Sequence, residues 1–294
     1  MRILRFLQAG APCYGVLKPD NLVMPLPGIT SFEELRSHLR EVTVAGDSPL
    51  LSLDTLTLVS PIDPPRNILC VGWNYLKHFD ESLGKREGQD VPLPDRPTLF
   101  TKLPTTVAGP YDALPLQQSY TDKLDWEVEL AVIIGTGGRD ISEHDALSHV
   151  FGYTVANDIS ARDLQRAHGA QWFKGKSLDC TCPMGPVLVT ADEITNPQDL
   201  AIACYLNGEV VQSGHTSRQI FSVARVIAEI SAGLTLLPGD VILTGTPEGI
   251  GAARTPPVFI RDGDTIECEV QGIGRLRNTF KAQLRDAQPG RHQG

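Results

Sequence analysis

Glu127 and Glu129 stand two residues apart in the apolar run Asp125-Trp126-Glu127-Val128-Glu129-Leu130-Ala131-Val132-Ile133-Ile134. In a β-strand, residues at i and i+2 point to the same face, so both carboxylates would enter one space. Two like charges that close are costly to desolvate unless a cation lies between them or one is protonated. Carboxylate oxygens are hard ligands that suit Mg²⁺ or Mn²⁺ better than zinc. The alternative is a twisted strand end with both glutamates solvated. Asp158, in Ala156-Asn157-Asp158-Ile159-Ser160, is a third candidate, where a strand gives way to a helix. Taken alone, helix capping by Asp158 or Ser160 is the simpler reading. Lys176 could hold a developing enolate or carboxylate as a fixed positive charge, although by itself it reads as a surface lysine. His78 and Glu81 are three apart and share a face on a helical turn. A carboxylate beside an imidazole fixes its tautomer and raises its basicity, which makes a general base; an isolated pair of this kind is more simply a surface ion pair.

These side chains need elements to hold them. Residues 1–62 read as a small α+β module, with strands at 1–7 and 14–18 and a helix at 31–40. Ser31 caps that helix, with Glu34 three residues later. A stiff proline-rich boundary follows, Pro61-Ile62-Asp63-Pro64-Pro65-Arg66. From 67 onward strands dominate, at 67–72, 130–135, 150–156, 186–190, 201–206, 241–244 and 265–270. Asn207-Gly208 is a hairpin signal between 201–206 and 209–211. Helices are expected at 161–168 and 220–233, a mobile surface loop at 82–95, and a frayed tail over 283–294. Helices do not alternate with strands at the spacing of a doubly wound sheet, so the fold class is α+β and β-rich. Gly245, Gly249 and Gly251 follow a strand, but Thr246-Pro247-Glu248 interrupts them, and the run matches neither a dinucleotide fingerprint nor a phosphate loop.

A chain of 294 residues with 41% hydrophobic residues can bury one large core with a small appendage. Its net charge of −9 disfavours nucleic acid as a partner. No window approaches the ~20 apolar residues of a membrane span. The start is broken by charge too early for a signal peptide, so a cytoplasmic location is the expectation. Six cysteines are too sparse for a disulfide scaffold, and the C-x-C at Cys180 and Cys182 lacks the partners of a zinc site.

Five groups of residues occur in one order: Gly72-Trp73-Asn74-Tyr75 with His78 and Glu81; Asp125-Trp126-Glu127-Val128-Glu129-Leu130; Asn157-Asp158-Ile159-Ser160-Ala161-Arg162-Asp163-Leu164-Gln165; Gly175-Lys176-Ser177-Leu178-Asp179; and Pro238-Gly239-Asp240-Val241 through Thr246-Pro247. Together they closely resemble the fumarylacetoacetate hydrolase family, over residues 66–282. The resemblance implies a mixed β-roll catalytic domain with flanking helices, a homodimer, and bound Mg²⁺ or Mn²⁺. It implies Glu127, Glu129 and Asp158 as metal ligands and Lys176 as the catalytic lysine. Arg162, Gln165 and Thr246 match residues lining the substrate site, and Lys102 falls where the family often has a site lysine. His78 and Glu81 match the water-activating dyad of the acylpyruvases, carried on a lid.

The implied activity is hydrolysis of the C–C bond of a 2,4-dioxo acid. Water activated by the dyad attacks C4, and pyruvate leaves as an enolate stabilised by the cation and Lys176. Oxaloacetate-type decarboxylation and isomerisation or hydration of 2-oxo-alkenoates are alternatives at the same site, as is a binding protein without turnover. Glu248 and Leu178 depart from the family pattern and put the substrate in doubt more than the chemistry.

Overall fold

The computed structural model describes residues 1–42, 49–85, 91–169 and 171–282. Residues 86–90 of the expected loop and the expected tail at 283–294 lie outside these.

The architecture is the expected sheet-rich α+β mixture. The larger sheet has twelve strands. Its centre is Val128–Ile134, fully buried and flanked by Val150–Asn157 on one side and Val241–Leu243 on the other. Beyond Val241–Leu243 come Ile68–Gly72, which is parallel to it, and then the edge strand Thr98–Lys102. In the other direction Cys182–Thr190 pairs with Val150–Asn157. The second sheet runs Glu209–His215, Ala201–Leu206, Thr265–Val270, Gly274–Lys281 and Ala113–Pro115.

Alternation along the central strand builds the layers. Val128, Leu130, Val132 and Ile134 pack in one core with Ile202, Cys204, Ile266, Val270 and Phe280 of the second sheet. Ala131 and Ile133 point the other way, into a core shared with Ile3, Tyr14, Phe32 and Leu35. Glu129 has the parity of Ala131 and Ile133, so burying this strand on both faces also buries a carboxylate.

The first residues are joined to this frame. Arg2–Gln8 forms a hairpin with Ala11–Lys18 through Ala9 and Gly10, both at positive φ. Arg2–Gln8 also pairs antiparallel with Cys182–Thr190, Ile3 opposite Leu188. The sheet is therefore continuous in space across the expected boundary at residues 62–66. We propose that residues 1–62 and 66–282 are two units of the chain, joined by this shared sheet.

Helix Phe32–Val42 begins at the expected box: Ser31 Oγ accepts from Glu34 N at 3.2 Å, and Glu34 Oε2 accepts from Ser31 N at 2.9 Å. The helix expected at 220–233 is shorter, Val223–Ser231, because Ser222 caps it by accepting from Arg225 N. The helix expected at 161–168 is observed as Arg162–Ala167, followed by a separate turn, Phe173–Lys176. At the hairpin, Asn207 and Gly208 both take positive φ and put Leu206 opposite Glu209. Strands Thr98–Lys102, Ala113–Pro115 and Gly274–Lys281 were not anticipated. The last alternates Leu276, Asn278 and Phe280 inward, a period-two signal present in the sequence.

Candidate active site

A cavity of about 610 Å³, including its open mouth, lies where the C-terminal end of Ile68–Gly72 meets the start of the central strand. His78, Glu127, Glu129 and Lys176 line it, joined by Arg162, Gln165 and Thr246. Glu81, Asp158 and Lys102 stand behind these residues.

Glu127, Glu129 and Asp158 each offer a carboxylate oxygen, and the three oxygens lie within 4.8 Å of one another. All three residues are buried. Glu127 immediately precedes the central strand, Glu129 is its second residue, and Asp158 follows the paired strand Val150–Asn157. Asp158 N donates to Glu127 O at 2.9 Å, which fixes the two segments side by side. The capping reading of Asp158 fails. Its side chain faces lysines, and Ala161, at the start of Arg162–Ala167, makes no side-chain cap.

Three cations answer these carboxylates. Lys176 Nζ is 2.7 Å from Glu127 Oε2 and 2.6 Å from Asp158 Oδ2. Arg162 Nη2 is 2.7 Å from Glu127 Oε1, while its Nε donates to Asp125 at 2.8 Å. Lys102 Nζ, wholly buried, is 2.9 Å from Asp158 Oδ1 and donates to Ile159 O at 3.1 Å. Lys102 was expected to line the substrate site and does not. The strand Thr98–Lys102 ends beneath the triad, so its ammonium neutralises Asp158 from behind.

Glu129 has no ion-pair partner among the described residues, and accepts from Gly245 N at 2.6 Å. Burial, with Asp158 and Glu127 close by, pushes its carboxyl well above the usual carboxylate range. Burial would raise Glu127 too, but Lys176 and Arg162 outweigh it and hold Glu127 below that range. Burial disfavours the charge on Lys176, yet Asp158 and Glu127 keep its pKa above the ordinary lysine value. Counting Asp125, four carboxylates face three cations. Three converging hard oxygens, with Glu129 as the carboxyl that has no cation beside it and would exchange its proton for one, fit a divalent cation.

His78 Nδ1 is 2.8 Å from Glu81 Oε1 on the short helix Leu76–Glu81, and Glu81 Oε2 accepts from Gly249 N at 2.8 Å. Both carboxylate oxygens of Glu81 are thus engaged, which leaves Nε2 as the free ring nitrogen of a buried imidazole. The pair is not the solvated surface contact that an isolated motif suggests.

Several residues that the sequence reading passed over hold this geometry. Asp125 accepts from Gly251 N at 2.7 Å, Ala252 N at 2.9 Å and Trp126 N at 2.9 Å, besides Arg162. Gln212 accepts from Val128 N at 3.0 Å and donates to Thr246 Oγ1 at 2.8 Å, tying the strand that carries Glu129 to the loop that carries Thr246. Gly175 must lack a side chain: a Cβ there would lie 2.3 Å from Gln165 N, and this contact sets Lys176 against the triad. Gly245 needs its positive φ of 95° to aim its amide at Glu129. An aromatic wall closes one side, with Trp172 4.8 Å from Trp73 and 5.2 Å from Phe100 between ring centroids. Asp125 sits in a quoted motif, so its position was visible; Gln212 had no local signal. Of the two departures, Leu178 is buried in the core and Glu248 lies beside Lys77 and Arg218, both away from the cavity lining.

Comparison with known proteins agrees with this geometry. The sequence model of the fumarylacetoacetate (FAA) hydrolase C-terminal family matches residues 67–281. The oxaloacetate tautomerase YisK of Bacillus subtilis is 48% identical over 258 residues, covering 85% of this chain and 84% of that protein. A human mitochondrial oxaloacetate tautomerase, FAHD2A, is 45% identical over 236 residues, covering 80% and 73%. Among solved structures, a fumarylacetoacetate hydrolase from psychrophilic Exiguobacterium antarcticum matches at a TM-score of 0.83 and 42% identity, over 96% of this chain and 100% of that one. With its fold, its buried acidic triad and its ordered motifs all in agreement, the chain belongs to the fumarylacetoacetate hydrolase family.

Proposed function

We propose that the chain moves a proton between C3 and the 2-oxo oxygen of a short 2-oxo acid, interconverting keto and enol forms of an oxaloacetate-like substrate. The observation that carries this reading is that the acidic triad, Lys176 and a carboxylate-oriented imidazole open onto one cavity. Its relatives at 45% and 48% identity are named oxaloacetate tautomerases, which favours enolisation over the hydrolysis expected from the sequence.

Bound to Glu127, Glu129 and Asp158, Mg²⁺ or Mn²⁺ would supply a Lewis acid for the 2-oxo oxygen. Glu81 keeps the Nδ1 proton on His78, so Nε2 is the base that takes a proton from C3. Lys176 is a fixed positive charge beside the charge that develops on oxygen. The imidazolium then gives a proton to that oxygen, directly or through solvent, so one hydrogen has moved from C3 to oxygen. The aromatic wall and the buried position of His78 limit access of water, which keeps the enol from competing reactions. A homodimer in the cytoplasm belongs to the same proposal; the human relative is named mitochondrial.

Hydrolysis of an acylpyruvate is the second reading, favoured by the same His78–Glu81 hydrogen bond, which would equally activate water. The test pairs two assays on the Mg²⁺-loaded protein: deuterium uptake at C3 of oxaloacetate, and pyruvate release from a panel of 2,4-dioxo acids. Enolisation predicts fast exchange, its loss in EDTA, and a fall of ~10²–10⁴ in His78→Ala. Pyruvate release with C3 exchange no faster than in buffer would replace this reading by the hydrolytic one.

A further inference from the structure

We infer that the rings of Trp73, Phe100 and Trp172 form a subsite for an apolar, ring-sized group carried on C3 of the 2-oxo acid, so that arylpyruvate-like acids belong to the substrate class. This rests on the oxo-acid reading above. The cavity has two kinds of wall. One carries His78, Glu127, Glu129 and Lys176; the other carries Trp73, Phe100 and Trp172. The apolar wall meets the polar one at both of its ends. Lys176 Nζ lies 4.9 Å from the centroid of the Phe100 ring. From there Trp172 follows at 5.2 Å and Trp73 at a further 4.8 Å, and Trp73 stands edge-on to Phe79 at 5.8 Å. Phe79 is the residue after His78 on the helix Leu76–Glu81. The wall therefore runs from the lysine beside the developing oxyanion to the helix that carries the base. C3 must lie between those two groups, and a substituent on C3 meets the rings.

The wall is more than core that borders a cavity. Phe79 behind it is buried, whereas Trp73, Phe100 and Trp172 are each half-buried and line the cavity, so part of each ring is left uncovered. The chain departs from ordinary geometry to keep the rings there. Gly72 must lack a side chain, since a Cβ would overlap the six-membered ring of Trp172. Trp73 holds a left-handed φ of 54°, an unfavourable backbone for a bulky residue. Asn74 clamps it: its side chain donates to Phe221 O at 3.0 Å and Thr244 O at 2.8 Å, and accepts from Phe221 N at 2.8 Å. Strain maintained in this way clusters where ligands are gripped. Aromatic surface left open beside the reacting carbon gains most by covering another apolar group, and rings meet rings well edge-on or offset.

The test is calorimetry in saturating Mg²⁺ with oxamate and its N-phenyl and N-(2-hydroxyethyl) derivatives. All three present the same oxalyl head, and the nitrogen stands in for C3, so each substituent enters where the wall is. The wild-type protein should bind N-phenyloxamate roughly ten- to hundredfold more tightly than oxamate, the return for covering one face of a ring. Trp172→Ala should bring the two affinities within about threefold while oxamate and Mg²⁺ affinities hold, and Trp172→Phe should keep part of the preference. Should neither variant fold, the hydroxyethyl compound makes the comparison on the wild-type protein and should bind no more tightly than oxamate. An undiminished preference in Trp172→Ala, or a hydroxyethyl group that tightens binding as much as phenyl does, overturns the subsite. Oxamate binding with no preference for N-phenyloxamate overturns it too, leaving the proposed function standing. If none of the three binds in Mg²⁺, both readings fall.

Discussion

Replacing Lys176 by methionine tests whether the acidic cluster is built to be completed by a cation. Lys176 is buried and ion-paired at 2.7 Å to Glu127 and 2.6 Å to Asp158. Removing one partner of a buried ion pair leaves an uncompensated charge at a cost of about 3–5 kcal/mol. With an m-value of about 3 kcal/mol per molar urea for a chain of this size, the unfolding midpoint in EDTA should fall by about 1–2 M. A cation bound only by the folded state returns about 2.7 kcal/mol at a hundred times its dissociation constant. In the variant the cation meets carboxylates that have lost their ammonium competitor. At equal Mg²⁺ concentration it should therefore stabilise Lys176→Met more than wild type, although the variant has lost activity. Lowering the pH to 5 in EDTA should shrink the loss, because a carboxylate can take up a proton in place of the ammonium. The assay is urea unfolding followed by the fluorescence of Trp73, Trp126 and Trp172, with and without Mg²⁺. A midpoint in EDTA unchanged from wild type, or Mg²⁺ stabilisation no larger in the variant, would refute the reasoning.

Other predictions concern single side chains of the same cluster. Glu129 is held well above 4.5, so above that pH the folded state keeps a proton that the unfolded chain releases. Its contribution to stability therefore declines with rising pH, at up to about 1.4 kcal/mol per unit in chelator. Glu129→Gln should flatten this slope between pH 5 and 8 and abolish stabilisation by Mg²⁺; a slope equal to wild type would count against it. Glu127 has the opposite sign: held below 4.5, it stabilises above that pH and loses its contribution on acidification. Asp125→Ala strands Arg162 Nε and the amides of Gly251 and Ala252, and should lower stability by about 3–5 kcal/mol. Thermal unfolding within a degree of wild type would contradict that role. Gln212→Leu breaks the link between Val128 and Thr246, costing about 1–3 kcal/mol and raising KM more than it lowers kcat; an unchanged KM would remove Gln212 from site positioning.

Two pairings within the candidate site were legible in the sequence because their signals are local, whereas Asp158 and Lys176 stood out only through the resemblance of the ordered motifs to a known family. Glu127 and Glu129 share a face by the period of a strand, and His78 and Glu81 by the turn of a helix. The Ser31–Glu34 box and the Asn207-Gly208 turn are likewise set by neighbours in the chain, and all four appear in the structure as read. Tertiary structure decided how the charges are shared. Lys102, Arg162 and Lys176 each bring one positive charge, yet one lies under the triad, one bridges to Asp125 and one spans Glu127 and Asp158. Which carboxylate is left without a cation depends on strands far apart in sequence meeting at one edge of the sheet. No local period records such pairings, as with Ile3 opposite Leu188 or Gln212 reaching Val128. Burial then turns the arrangement into chemistry: only out of water do these few charges shift one another's protonation and create a place for a cation.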